Sequence, residues 1–301
     1  MNAAPGKVLV SGSSGLIGSV LCSFLTADGY QITRLVRGTS SGENQIAWDL
    51  DRPLSPESVS GFDAVVHLAG ESIVGRWTDE KKAAIRHSRV SKTKNLAKAL
   101  AEAPQRPQVF ISASAIGYYG NRGQETLHED SPVGRGFLAD VCREWEFATS
   151  PAADAGIRTA QTRFGIVLSK AGGALAKMLT PFRLGIGGNM GDGHQWWSWI
   201  DLQDVVGAIE HVIKTGSLRD AVNVVSPNPV TNAEFTKTLS SVLSRPAVFP
   251  MPVFVARLAL GQMADELLLA SQRVEPVKLL ASGYVFQQPN LRQSLQAILS
   301  A

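Results

Sequence analysis

Apolar and polar positions fall into two periods along this chain. Lys7-Val8-Leu9-Val10 is a short, nearly continuous apolar run, as in a strand buried on both faces. Leu16, Ile17, Val20, Leu21, Phe24 and Leu25 then recur at three- and four-residue spacing, which predicts a helix with one buried face. Gly29 is its natural stop, and Gln31 to Val36 predicts a second strand that completes a βαβ unit. A long helix is expected from about Thr78 to Ala103. Most of its cations (Arg86, His87, Arg89, Lys92, Lys94, Lys98) read as a solvated face. Leu138, Val141, Trp145 and Ala148 mark a further helix that ends near Gly156, and Ile157 to Leu168 reads as a strand.

From Ser169 the pattern changes. Gly172, Gly173, Gly185, Gly187, Gly188, Gly191 and Gly193 punctuate a loop-rich segment that carries His194, Gln195, Trp196, Trp197 and Trp199. Asp204 is expected to cap a helix through Lys214. Thr231-Asn-Ala-Glu234 is a capping-box pattern, and Met251 to Ala270 is an apolar helical segment interrupted by Arg257 and Gly261.

Composition narrows the class. With 44% apolar and 18% charged residues, the 301-residue chain has the material for a sizeable core. A net charge of +3 is too small to imply nucleic acid. No uncharged apolar run approaches the ~20 residues of a membrane span. Met1 to Lys7 has no apolar leader core. Cys22 and Cys142 cannot make a disulfide framework. A cytoplasmic α/β protein is the expectation, and a homodimer is compatible with it.

The candidate chemistry starts between the first strand and helix. Ser11-Gly-Ser-Ser-Gly-Leu-Ile-Gly18 places glycines at 12, 15 and 18. One permits a tight turn, one lets amides approach a pyrophosphate, and one allows close helix packing. The helix N-terminus supplies free N–H groups and partial positive charge. The alternative is a bare structural turn. No Gly-Lys-Ser/Thr follows, which excludes a P-loop. Gly12, Ser13, Gly15, Leu16, Ile17 and Gly18 are therefore candidate dinucleotide ligands. An NAD site usually has an acidic residue at the end of the second strand, whereas this strand ends Leu35-Val36-Arg37. An arginine fork suits a 2′-phosphate, so Val36 and Arg37 point to NADP(H), the alternative being a solvated loop cation.

With these motifs the chain resembles an extended short-chain dehydrogenase/reductase. Phe62 to Gly70 is similar to that superfamily's fourth-strand motif, and Gln108 to Tyr119 to its fifth. Within it, the chain resembles the group called epimerase family proteins (YfcH-type, sugar-nucleotide epimerase-like), with a characteristic C-terminal segment. The stretches that carry this resemblance include Leu68-Ala-Gly-Glu-Ser-Ile73, Ser114-Ala-Ile-Gly-Tyr-Tyr-Gly120, Arg163 to Leu168, Pro181 to Gly188 and Gly191 to Ile200. The resemblance implies a Rossmann-type doubly wound parallel sheet with a small C-terminal substrate lobe. Residues 1–168 would form the NADP-binding domain and 169–301 mainly the lobe, with 200–225 returning to the sheet. It also implies that Leu68, Ala69, Gly70, Glu71, Arg89 and Val167 lie beside the cofactor. For Arg89 the solvated reading keeps equal standing.

The superfamily's Tyr-x-x-x-Lys is missing. Aligned through Glu146, Leu138 stands at the tyrosine position and Cys142 at the lysine position. Leucine carries no proton, and a neutral thiol is no fixed cation. Ser114 remains for the serine role, and Tyr118 or Tyr119 for the proton, against packing with a satisfied hydroxyl. His194, Gln195 and Trp196 are candidates on the lobe side. Relatives carry a histidine where this chain has Asp201. The five histidines show no metal-ligand spacing, so no metal is expected. The expected activity is oxidoreduction or epimerisation of a small molecule, against a redox-inactive NADPH-binding sensor or interaction module.

Overall fold

The computed structural model describes residues 6–38, 42–49 and 52–300. Most of the segment read as lacking a leader, residues 1–5, lies outside them. Seven strands form one sheet: β1 (Lys7–Ser11), β2 (Gln31–Arg37), β3 (Gln45–Trp48), β4 (Ala64–His67), β5 (Val109–Ala115), β6 (Arg158–Phe164) and β7 (Asp220–Val224). Their spatial order is β3-β2-β1-β4-β5-β6-β7, and each neighbouring pair is parallel. The order reverses between β1 and β4. In open α/β sheets, ligands bind at the carboxyl ends of the strands at such a reversal.

Strand alternation explains the layers. Val8, Val10, Val66 and Ile111 point to one face and pack with Leu21 and Leu25 of α1 (Leu16–Ala27). Leu9, Val65 and Phe110, one residue out of phase, point to the other and pack with Leu96 and Leu100 further along the chain. The central strands β1 and β4 thus read as nearly continuous apolar runs because both faces are covered.

The long helix expected from Thr78 is capped by Thr78, whose hydroxyl accepts from Lys81 N at 3.2 Å. It runs as α2 (Asp79–Arg86), one wide π-type turn (His87–Ser91) and α3 (Lys92–Glu102). Next comes α4 (Phe137–Phe147), with Leu138, Val141 and Trp145 buried. The strand read as Ile157 to Leu168 breaks at Gly165, where a Cβ would meet Ser198 O at 2.5 Å. Its last residues, Ile166–Leu168, pair instead with Trp199–Asp201.

The segment read as loop-rich after Ser169 contains a helix, α5 (Gly173–Arg183). Leu175, Met178, Leu179 and Phe182 recur at helical spacing and are buried with Trp197, Trp199, Phe235 and Leu239 as a separate lobe core. The flanking glycines disguised that period. The cap of α6 (Leu202–Lys214) also differs from expectation: Asp201 Oδ1, not Asp204, accepts from Gln203 N at 2.9 Å. Asp204 lies buried in the first turn and accepts instead from Gln287 N and Gln288 N at 2.7 and 2.9 Å. Thr231 caps α7 (Asn232–Leu243) as expected, accepting from Glu234 N at 3.2 Å. The apolar segment from Met251 yields α8 (Val253–Leu260), which ends at left-handed Gly261. Among the described residues, no helix is long and apolar enough to cross a membrane.

Candidate cofactor and active site

The glycine turn at the end of β1 divides its work between three positions. Gly12 has φ +71°, and a Cβ there would meet Ala69 N and Leu68 C at 2.7 Å. The turn therefore lies against the Leu68-Ala69 backbone that leaves β4. Gly18 lets α1 close onto the turn, since a Cβ would meet Gly12 O at 2.2 Å. Gly15 is different. It has extended backbone at φ −76°, and only Gly12 O, at 3.2 Å, lies near a Cβ built there. It is the N-cap of α1, no side chain caps the helix, and the first turn holds no acidic residue. The amides of Leu16 and Ile17 are thus available to an anion, with the open side at Gly15.

Around this turn the structure gathers several sequence candidates. Ser13 is on the turn itself, and Val36 and the exposed Arg37 end β2. Glu71 follows Gly70 and pairs with Lys81 Nζ at 2.7 Å. That hydrogen bond and charge, then the charges of Arg37 and Arg89, hold the Glu71 carboxyl below its usual range. Arg89 is not on a solvated face. It donates to Glu71 O at 2.9 Å, lies 5.1 Å from the Trp145 ring centroid, and stands over Gly70. Burial lowers its pKa, against the pull of Cys142 and Glu71. Val167 lies half-buried on the short strand after Gly165, opposite Ile200.

The catalytic candidates separate. Ser114 Oγ donates to Glu146 Oε1 at 2.7 Å. Glu146 also receives two Arg163 hydrogen bonds, each of 2.8 Å. Burial works against the Arg163 charge, but Glu146 and Tyr119 outweigh it and raise the pKa of Arg163. Tyr119 is fully buried, donates to Asn223 Oδ1 at 2.7 Å and accepts from Arg163 at 2.8 Å. Burial pushes its phenol up to about 12 despite Arg163. Tyr119 is thus a member of a satisfied core network, out of reach of a substrate. Tyr118 is half-buried and carries the Arg163 guanidinium over its ring, 3.6 Å from the centroid.

The turn that carries both tyrosines packs on α4, since a Cβ on Gly117 would lie 3.3 Å from Leu138 Cβ and 3.9 Å from Cys142 Sγ. Burial, then the Glu146 charge, pushes the Cys142 thiol up to about 12. It is neutral and does not replace a lysine.

The lobe candidates are mostly occupied. His194 is exposed beside Asp192. Gln195 is buried, and its amide donates to Met190 O and Leu268 O at 2.9 and 3.1 Å. Trp196 donates to Gln124 and lies under Arg273, 4.5 Å from ring centroid to guanidinium. Among the described residues, no cluster of three or more His, Cys, Asp or Glu could hold a metal. Sequence reasoning missed Lys81 and the Glu146–Arg163 pair. The signal for the pair was a charge inside an otherwise strand-like run at Arg163.

A doubly wound parallel sheet with an open, uncapped glycine turn at its switch point defines a dinucleotide-binding protein of the short-chain dehydrogenase/reductase type. Residues 8–224 match the model of the NAD dependent epimerase/dehydratase family, and the chain belongs to it. Residues 251–298 match a domain of unknown function. The chain is 36% identical to the human epimerase family protein SDR39U1, over 98% of this chain and all of that one. It is 39% identical to an epimerase family protein of Mycobacterium tuberculosis, over 97% of each chain. The human SDR39U1 structure with NADPH superimposes with a TM-score of 0.90 at 35% identity, covering 98% of this chain and 99% of that one. A nucleoside-diphosphate sugar epimerase from Corynebacterium glutamicum gives 0.83 at 38% identity, covering 98% of this chain and 58% of that one.

Proposed function

We propose that the protein binds NADP(H) and carries out oxidoreduction or epimerisation of a small molecule, with Tyr118 moving the proton. The open Gly15 side of an uncapped helix N-terminus carries the cofactor reading. Arg37 supports the phosphorylated form, as does the NADPH in the human relative's structure. When bound, the cofactor supplies hydride transfer. The residues of this chain hold its pyrophosphate on the Leu16 and Ile17 amides and its 2′-phosphate at Arg37. Tyr118 is the candidate phenol that is neither fully buried nor hydrogen-bonded among the described residues, and Arg163 fixes its ring. The two free, buried cysteines fit a reducing cytoplasm.

NADPH is expected to bind about tenfold to a hundredfold more tightly than NADH, the worth of one charge-assisted hydrogen bond to the 2′-phosphate. Calorimetric titration with both cofactors tests this, and equal affinities reject it. For turnover, a panel of ketones, aldehydes and nucleotide sugars is screened with NADPH. Tyr118→Phe should keep NADPH affinity and lower kcat by roughly 10²–10⁴.

A second reading has its own observation. Leu138 and Cys142 provide neither phenol nor cation, and the Ser114 hydroxyl is engaged by Glu146. A redox-inactive NADPH-binding module follows from that. It predicts no turnover across the panel and no effect of Tyr118→Phe beyond stability.

A further inference from the structure

The charges beside the glycine turn do not stop at Arg37. Glu71 leaves β4 through Leu68-Ala69-Gly70, and that backbone lies against Gly12. Three cations lie around Glu71, one paired with its carboxylate and one held at its backbone carbonyl. Lys81 Nζ is 2.7 Å from Glu71 Oε1, Arg89 donates to Glu71 O at 2.9 Å, and Arg37 ends the adjacent region of β2. Arg37 and Arg89 both act on the Glu71 carboxyl through their charge. Arg37 has no hydrogen-bond or ion-pair partner among the described residues, and Arg89 is engaged by backbone and by Trp145. Lys81 is the member held by a side-chain carboxylate. It sits in the first turn of α2, about one quarter exposed, and among the described residues its one ion pair is with Glu71.

A phosphate monoester carries about −1.5 to −2 charges near neutral pH, more than one arginine neutralises. Lysine binds phosphate as a point charge on a flexible stem, and its reach needs no fixed fork geometry. A 2′-hydroxyl in the same place asks for something else: it donates, and a carboxylate accepts. The Glu71–Lys81 pair thus offers an acceptor to one cofactor and a cation to the other.

We propose that Lys81 is a second ligand of the 2′-phosphate beside Arg37, and that Glu71 moderates the preference for NADP(H) over NAD(H) by competing for Lys81. This rests on the cofactor reading above. On binding of the phosphorylated cofactor, Lys81 turns from Glu71 to the phosphate. No covalent step is involved.

The test is calorimetric titration of the full chain with NADPH and with NADH at constant moderate salt. Lys81→Met is expected to weaken NADPH about two- to fivefold and leave NADH unchanged, because a partly exposed ion pair at one phosphate is of that size. Lys81→Arg should restore most of the loss. Glu71→Gln should raise the NADPH-to-NADH affinity ratio at least about threefold, since the amide no longer repels the phosphate or competes for the ammonium. Using the ratio cancels any contact of Glu71 with parts common to both cofactors. An equal loss for both cofactors in Lys81→Met makes Lys81 a structural residue and overturns the proposal. So does an unchanged NADPH affinity, or a ratio that falls in Glu71→Gln. Failure of the unsubstituted protein to bind either cofactor is a different result, which rejects the cofactor reading itself.

Discussion

At the scale of single residues, Gly15 is the sharpest probe of the site. Its backbone is extended, so a side chain brings no left-handed strain, and the nearest obstacle to a Cβ is Gly12 O at 3.2 Å. Gly15→Val is expected to stay folded, with a loss of about 1 kcal/mol because its Cβ presses on Gly12 O and valine is a poor N-cap, while losing NADPH binding, because the branched side chain fills the space in front of the amides. Urea titration and calorimetry on the same sample check the two halves. Retained binding in the folded variant would make the turn merely structural.

His67 carries a second prediction. It is fully buried at the end of β4, where its Nδ1 shares a 2.5 Å hydrogen bond with Ser11. Burial pushes its pKa down to about 4, from an ordinary 6.5. Above that ordinary value the ring is neutral folded and unfolded, and pH has no leverage through it. Below it the unfolded chain takes up the proton first, so stability falls until about pH 4, where the folded ring protonates too. The loss is about 3 kcal/mol over that window. Urea midpoints at pH 7 and pH 4.5 should therefore differ more for the natural chain than for His67→Gln. An equal difference would place the acid sensitivity elsewhere.

At the scale of elements, the helix that bears the altered catalytic positions is held by a segment distant in sequence. The residue before α4, Gly136, has φ +117° and offers no side chain as a cap. The Glu266 carboxylate, just beyond α8, accepts from Phe137 N and Leu138 N at 3.1 and 2.8 Å. It satisfies two orphan donors and places negative charge at the positive end of the helix. Glu266→Ala should cost about 1–2 kcal/mol in urea unfolding, with Glu266→Gln recovering part of it. Its effect on NADPH affinity should be small, because the glycine turn lies on other elements.

At the scale of the molecule, NADPH should stabilise the folded state by linkage. At a hundred times its Kd a ligand that binds only the folded form adds about 2.7 kcal/mol. For a chain of this size that raises Tm by roughly 5 °C. A thermal melt with NADPH, NADH and neither reads this directly, and the shift should be larger for NADPH. A shift of equal size with both would argue against a role for the 2′-phosphate.

What the chain determines by itself is whatever depends on neighbours in sequence. The βαβ start, the glycine turn and the Thr231 cap were legible because each is a contiguous pattern with a local physical cause. The absence of Tyr-x-x-x-Lys was legible through the resemblance, since it is a spacing on one helix. The rest needed the tertiary structure. Asp201 and Asp204 are equally good caps on paper. Only the approach of Gln287 and Gln288 takes Asp204 away from that task. Tyr118 and Tyr119 are adjacent and identical in composition. Asn223 on β7 and Arg163 on β6, both distant in sequence, draw Tyr119 into the core and leave Tyr118 half-buried. Nothing local singles out Lys81; the end of β4 brings Glu71 to it. Partners far apart in the chain leave no periodicity, and the fate of a polar group is decided by whichever partner the fold delivers.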